Sequence, residues 1–411
     1  MTTPSHPMID QARLIGRLQQ LGDIGRGPSG GPTRLALTDA DRAGRDLLVG
    51  WIRGAGLEVR VDRIGNIFGL WPATGADPVM IGSHIDSVID AGIYDGCYGV
   101  LAGLAVVEAL QAAGAAPSRP IAIAAFTNEE GVRFQPDMMG SLVHAGGLDL
   151  EAALATVGTD GAVLGQELTR IGYAGDMAPG AIRPLAYLEL HIEQGPVLEA
   201  EGLAIGAVDT LQGISWQRVT IDGTANHAGT TPIAARRDAG LAAARVITHL
   251  RDRVAGANAG TLATVGSLRL EPDAINVIPA RAVFTVDLRD PEEDRLQAAE
   301  AALAAFLDQL AATDGVTVTT ERLARFSPVR FDDALVGMIA AAAEARGHGW
   351  RRMTSGAGHD AQMMARVAPS AMIFVPSRGG ISHNPAEFTA LDQLAAGAEV
   401  LLDVVRRLVE A

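Results

Sequence analysis

Residues 79–131 read VMIGSHIDSVIDAGIYDGCYGVLAGLAVVEALQAAGAAPSRPIAIAAFTNEEG. Two apolar runs, Val79–Ser83 and Pro120–Phe126, flank a stretch from Tyr98 to about Ala113 that is rich in Ala, Val and Leu. Strand, helix and strand in that order predict a parallel or mixed sheet, and strands apolar on both faces require helices to cover them. Each run ends abruptly in polar residues, Ser83-His84-Ile85-Asp86 after the first and Thr127-Asn128-Glu129-Glu130 after the second. Sheets of this kind bind ligands beyond the carboxyl ends of their strands, so a site is expected at these polar ends.

Outward from this core, residues 8–25 and 38–56 read as amphipathic helices, the second opened by Thr38 with Asp41 and closed at Gly54 and Gly56. Strands are expected near Leu57–Ile64 and at Leu185–Ile192. The pattern changes after about residue 210. Ile214–Ile221 and Ala282–Arg289 alternate with period two, Gly260–Leu270 reads as another strand, and helices are expected at Pro232–Val254 and Glu292–Thr313. One-sided strands with helices over them predict an antiparallel α+β unit. From about Asp332 the earlier style returns, with a helix at Leu335–Arg346, a strand at Ala371–Val375 and a last helix from Ala390. The expected organisation is an α/β domain with a mixed sheet, residues 1–210 and 329–411, interrupted by a smaller α+β domain, residues 211–328.

Of 411 residues, 48% are hydrophobic, ample for a core in each part. Lys plus Arg number 33 against 48 Asp plus Glu, a net charge of −15. That balance disfavours a nucleic-acid or anionic-membrane surface, and 4% aromatics weakens base stacking further. Every basic residue is arginine. The absence of lysine excludes a lysine Schiff base, a pyridoxal-phosphate anchor and a phosphate-loop lysine. The single cysteine, Cys97, reads as a packing residue; it excludes an internal disulfide and points to a reducing, cytoplasmic setting. The opening MTTPSHPMIDQARLIGRL has no signal-peptide pattern, and no run approaches the roughly 18–20 apolar residues of a membrane span.

Among nine histidines, three fall in polar clusters at the ends of apolar runs: His84 above, His191-Ile192-Glu193-Gln194-Gly195 and Ser382-His383-Asn384-Pro385. Imidazoles with carboxylates and no thiolate form a ligand set for a hydrolytic divalent centre. Glu129-Glu130 follows IAIAAF directly, where a charge pair is costly unless paired or metal-bound. His84 and Asp86 leave one face of an extended chain, so Asp86 is expected to hold His84 or a neighbour in place. Asp95, in the glycine-rich turn Tyr94-Asp95-Gly96, has two oxygens with which to bridge two ions about 3.5–4 Å apart. One of the two adjacent glutamates would ligate while the other handles the proton.

GSHIDS, YDGCYGVLAGL, FTNEEGVRF, HIEQGP, ANHAGTTP, AINVIPARAVFTVDLR, SGAGHDAQ and GISHNPAEF, spread over residues 82–388, resemble the amidase branch of the metallo-aminoacylase and carboxypeptidase family. That branch holds N-carbamoyl-L-amino-acid hydrolases, allantoate amidohydrolases and metal-dependent β-ureidopropionases. The resemblance implies a di-metal hydrolase domain with an inserted lid and dimerisation domain, a homodimer, and two divalent ions per subunit: zinc, manganese, cobalt or nickel. His84, Asp95 and His191 would hold one ion and Asp95, Glu130 and His383 the other, with Glu129 as general base and acid. Imidazole at 191, where related peptidases carry an acid, favours the amidase branch. Gln194, His227, Asn276, Arg289 and Gly358 match positions that grip a ureido acid, with His359 beside them.

Arg289 shares a strand face with Asp287 and could hold a carboxylate bidentately or simply pair with that neighbour. His227, ahead of a helix start read at Pro232, is expected to stabilise an oxyanion. Met138-Met139 reads as packing near the site, and His6, His144, His249 and His348 are given no role. The expected reaction is hydrolysis of an N-carbamoyl-L-amino acid to the amino acid, ammonia and carbon dioxide, with allantoate and then β-ureidopropionate as alternative substrates. Carbamoyl hydrolysis by a Cys-Glu-Lys amidase is excluded by the missing lysine. A binding protein that kept the pocket would lack Glu129 or a ligand, and none is missing.

Overall fold

Val79–His84 and Ile121–Phe126 are buried at every position and pair in parallel, linked through the helix Cys97–Ala112. They lie at the centre of the computed structural model, which describes residues 7–72, 77–255 and 260–410; His6 lies outside these. In chain order the strands are Glu58–Val61 (β1), Ile67–Trp71 (β2), Val79–His84 (β3), Ile121–Phe126 (β4), Ala186–Ile192 (β5), Ile205–Leu211 (β6), Gly213–Asp222 (β7), Asn226–His227 (β8), Leu262–Glu271 (β9), Val277–Ile278 (β10), Arg281–Asp290 (β11), Thr317–Phe326 (β12), Val329–Arg330 (β13), Trp350–Ser355 (β14) and Ser370–Val375 (β15). The chain divides into two compact units, Met1–Asp209 with Phe331–Ala411, and Thr210–Arg330.

A mixed sheet of nine strands runs in the order β1-β2-β4-β3-β5-β15-β6-β13, with β14 beside β6. Its centre is parallel: β3 pairs with β4 and β5, and β5 with β15. These four strands are buried throughout. Parallel strands end on one edge, so the segments after His84, Phe126, Ile192 and Val375 emerge together. The helix Cys97–Ala112 is buried on almost every side, sandwiched between this sheet and the helices Gln11–Gly22 and Leu391–Glu410.

The Thr210–Arg330 unit carries a four-stranded antiparallel sheet, β12-β7-β11-β9. In β11 burial alternates along the strand, Ala282, Phe284, Val286 and Leu288 turning inward. They meet Val246 of the helix Ala239–His249 and Leu303 and Leu307 of the helix Glu293–Asp314 in one apolar cluster. The helix expected from Pro232 starts later. Ile233–Ala235 makes a single 3₁₀ turn, Arg236 returns to extended backbone, and the α-helix begins at Ala239, where the Asp238 carboxylate accepts the N–H of Gly240 and Leu241. Capping by that side chain outweighs the proline. Seven of these strands escaped the sequence reading: β2, β6, β12, β14 and the two-residue β8, β10 and β13.

Candidate metal centre

His84 closes β3, and its Nδ1 lies 3.0 Å from the backbone carbonyl of Asp86. His191 is the penultimate residue of β5, with Nδ1 2.9 Å from the carbonyl of Ile192. A carbonyl only accepts, so both Nδ1 atoms carry a hydrogen and each ring turns Nε2 toward the centre, presenting a lone pair there when the ring is neutral. The N–H of Gly96 donates to His191 Nε2 at 3.1 Å, which requires that lone pair. Gly96 itself has φ 62°, and a Cβ there would fall 2.4 Å from the His84 ring. Only glycine lets the turn bring Asp95 this close.

Asp95 faces the histidines with both oxygens. Oδ1 lies 3.5 Å from His84 Nε2 and 3.2 Å from His191 Nε2, and Oδ2 lies 3.2 Å from His383 Nε2. Glu130 reaches the same His383 nitrogen at 3.4 Å, and Glu129 reaches His84 Nε2 at 3.4 Å. Two donor groups result, His84–Asp95–His191 and Asp95–Glu130–His383, and they share Asp95. The first is wholly buried; the second is open at His383, whose side chain is 50% exposed.

The chemistry of these donors fits divalent cations. Imidazole Nε2 atoms face carboxylate oxygens across 3.2–3.5 Å, and Asp86, Asp95 and Glu129 are all buried. Burial, with neighbouring carboxylates, drives Glu129 well up and Glu130 up to about 8. Hydrogen bonding to Asp95 lifts His383 to about 9. Burial opposes ionisation of Asp95, but His191, His383 and His84 hold its carboxyl well below the usual range. So crowded an anionic pocket, lined by imidazoles, is neutralised best by bound positive charge.

Asp86 holds a neighbour, not the ring of His84, with its carboxylate. His84 is held by its backbone carbonyl, while its carboxylate sits 3.9 Å from that ring. The carboxylate instead accepts the N–H of Glu129 at 3.2 Å and of Glu130 at 3.4 Å, fixing the turn that presents both glutamates. Asn128 before them, Gln194 and His383 have φ of 58°, 56° and 53°. Three left-handed residues at three strand exits, each costing about 1–3 kcal/mol, fold the loops tightly over the centre.

Gln194 donates to Asp95 Oδ2 at 2.8 Å, and its own Oε1 is buried with no hydrogen-bond partner among the described residues. His359 is buried 4.5 Å from the His191 ring, with Nε2 on Ser355 Oγ at 3.0 Å. Burial, then His191, pushes its pKa well down. Gly358 packs on Met138, whose Cε would lie 3.1 Å from an added Cβ. The third candidate group, Glu189–His191–His359, is already satisfied: Glu189 accepts Ser83 Oγ at 2.7 Å, Tyr187 Oη at 3.1 Å and the Ala361 N–H at 2.7 Å. Glu189 escaped the sequence reading, although a glutamate inside the apolar AYLELHI is its own signal.

In the Thr210–Arg330 unit, His227 and Asn276 are exposed and adjacent; His227 pairs with Val277, and the Ala228 N–H donates to the Asn276 carbonyl at 2.9 Å. Arg289 sits on Asp287, with Nε 3.1 Å from both carboxylate oxygens and a terminal nitrogen at 3.0 Å. Cys97 is buried, and Arg34 donates to its Sγ at 3.1 Å. Among the described residues no helix is long and apolar enough to cross a membrane.

The family model described as peptidase family M20/M25/M40 matches residues 80–407. An N-carbamoyl-L-amino-acid amidohydrolase of Rhizobium meliloti is 42% identical over 97% of this chain and 96% of its own length. An allantoate amidohydrolase of Bacillus subtilis is 34% identical over 95% and 96%. The crystal structure of an amidase of the hydantoinase/carbamoylase family from Burkholderia multivorans superposes with a TM-score of 0.95 at 44% identity, covering 98% of each chain. With likeness of this extent, the chain belongs to peptidase family M20/M25/M40, in its amidase branch.

Proposed function

We propose that this chain is a metal-dependent amidohydrolase that cleaves the ureido C–N bond of N-carbamoyl-L-amino acids, releasing the amino acid, ammonia and carbon dioxide. The observation that carries the proposal is the pair of donor groups sharing Asp95, with the carboxylate of Glu129 beside them. His84, Asp95 and His191 would hold one divalent ion and Asp95, Glu130 and His383 a second, from among zinc, manganese, cobalt and nickel. Bound there, such ions supply Lewis acidity, lowering the pKa of water and polarising a carbonyl.

The rest falls to the chain. Glu129, buried and with its pKa raised, is suited to take a proton from the attacking water and deliver it to the leaving nitrogen. Asp86 fixes the Glu129 backbone so that this carboxylate keeps its aim. Gln194 Oε1, with no hydrogen-bond partner among the described residues, is an acceptor awaiting an N–H, which a ureido group provides. Arg289 is the candidate for the substrate carboxylate, by exchange with Asp287, and His227 for the oxyanion; Asn276, Gly358 and His359 complete the binding set. A homodimer is the assembly that the resemblance implies, and we propose it on that ground alone.

The 34%-identical allantoate amidohydrolase favours allantoate as second substrate. A panel of N-carbamoyl-L-amino acids, allantoate and β-ureidopropionate, assayed for ammonia with metal content measured on the same sample, decides between them. Carbamoyl amino acids should turn over fastest. Silence across the panel in metal-replete protein overturns the assignment.

A further inference from the structure

Glu387 is buried four residues beyond His383, yet among the described residues it has no ion pair. Its Oε1 accepts the backbone N–H of Tyr94 at 3.0 Å and of Asp95 at 3.3 Å, and its Oε2 accepts Ser382 Oγ–H at 2.9 Å. The fit leaves no slack, since a Cβ on Gly92 would come within 2.0 Å of Oε1. The carboxylate thus fastens the loop carrying Asp95 to the loop carrying His383, nearly three hundred positions later. Backbone N–H groups are met equally well by a neutral amide, and a buried charge without a cation is costly. Holding the backbone alone gives no reason for a carboxylate here.

Ser382 supplies the reason. Its Oγ lies 2.9 Å from Glu387 Oε2 and 3.2 Å from Asp95 Oδ2, and a hydroxyl has one hydrogen to give. While Glu387 is a carboxylate, that hydrogen goes to the nearer Oε2, and Asp95 Oδ2, which already accepts the Gln194 amide at 2.8 Å, keeps its second lone pair toward His383 and Glu130.

We propose that Glu387 is a positioning residue for cation binding: it draws the Ser382 hydrogen away from Asp95 and leaves Oδ2, beside the Gln194 N–H it already accepts, one lone pair with which to ligate at the Asp95–Glu130–His383 group. In Glu387→Gln the amide oxygen still accepts the two N–H groups, but the NH₂ now donates to Ser382 Oγ. The serine turns its hydrogen onto Asp95 Oδ2, where it competes with the cation. The inference rests on the two-ion reading above.

The test is equilibrium dialysis of chelator-stripped full-length protein against zinc and, separately, manganese. The wild type should bind two ions. Glu387→Gln should bind the tighter ion unchanged and the weaker one about 10–100-fold less tightly, the usual cost of losing an outer partner. Adding Ser382→Ala to Glu387→Gln removes the misplaced hydrogen and should restore most of that affinity. Thermal melts of the stripped proteins should agree, because the packing is kept. A wild type that binds fewer than two ions sinks the two-ion reading and this inference with it. A two-ion wild type, with Glu387→Gln binding equally well, overturns this inference alone. So does loss at both ions with a lowered melt and no recovery in the double variant, which is the mark of a purely structural residue.

Discussion

In the large unit, His84, Asp95 and His191 are buried side chains at the exits of parallel strands, and backbone groups fix both imidazoles. In the Thr210–Arg330 unit, the candidate substrate residues His227 and Asn276 stand exposed on a two-residue ladder, and Arg289 rests on its neighbour Asp287. A centre that must hold its geometry against crowded like charges is built from buried, backbone-tied groups. The candidates for meeting an acid substrate, by contrast, include His227 and Asn276 where water reaches them, and Arg289 with a neighbouring carboxylate as its partner. The contrast is one of preorganisation against availability.

The comparison breaks first at Glu129. Glu129→Gln should keep both ions, measured by elemental analysis, and lose about 10²–10⁴-fold in turnover, the usual worth of a general base. A variant that works like the wild type would place the proton chemistry elsewhere. Next in size is the core of the Thr210–Arg330 unit. Leu303→Ala removes a buried side chain and should cost about 2–5 kcal/mol in denaturant unfolding of that unit. Metal content should not change, since every donor lies in the other unit; ions lost along with it would show that the two building styles are not independent.

Arg289→Ala comes third. A charge-assisted hydrogen bond to a carboxylate is worth about 1.5–3 kcal/mol, so KM for a carbamoyl amino acid should rise roughly ten- to a hundredfold, with kcat changing much less. Were kcat to fall alone, Arg289 would belong with the buried catalytic groups. The smallest effect is one of pH. Hydrogen bonding from Arg325 holds the Glu293 carboxyl below its ordinary value. The folded state therefore prefers the ionised form, and the pairing stabilises the protein at neutral pH and fades as pH falls through the lowered value. Arg325→Gln should flatten the acid limb of stability by about 1 kcal/mol or less, because the pair is partly exposed.

The central strands were legible because β3, β4 and β5 are apolar on both faces and stop at a polar residue. His84, Glu130 and His191 stood out at such stops, but the set of five donors was implied by the resemblance, since Asp95 lies in a turn before a helix and His383 well past the end of β15. Strands with mixed surroundings were not legible. β12, TVTTERLARF, is a largely exposed edge, and β14, WRRMTS, carries two arginines, so neither shows a period. Pro232 looked like a helix start because a fixed φ suits one, but the Asp238 cap six residues on decided the boundary. Of the two partners expected for Asp86, His84 or a neighbour, the structure has the neighbour, the Glu129–Glu130 turn, because two-residue spacing holds only in extended chain and β3 ends at His84. Glu387 acts through partners distant in sequence, so no local pattern could announce it, whereas the apolar run around Glu189 did mark that residue.

The chain leaves the nine-stranded sheet along β6 and rejoins it along β13, and Leu211 lies opposite Val329 in that antiparallel pair. Partners across such a ladder are only about 5 Å apart at Cα. The two ends of the intervening hundred-odd residues are therefore as close as the arms of a hairpin. A tight turn spliced across them would close the cut without tugging any strand that leads to the donors. This is the arrangement in which a segment can be exchanged as a cassette, replacing His227, Asn276 and Arg289 together while leaving every donor of the candidate metal centre in place.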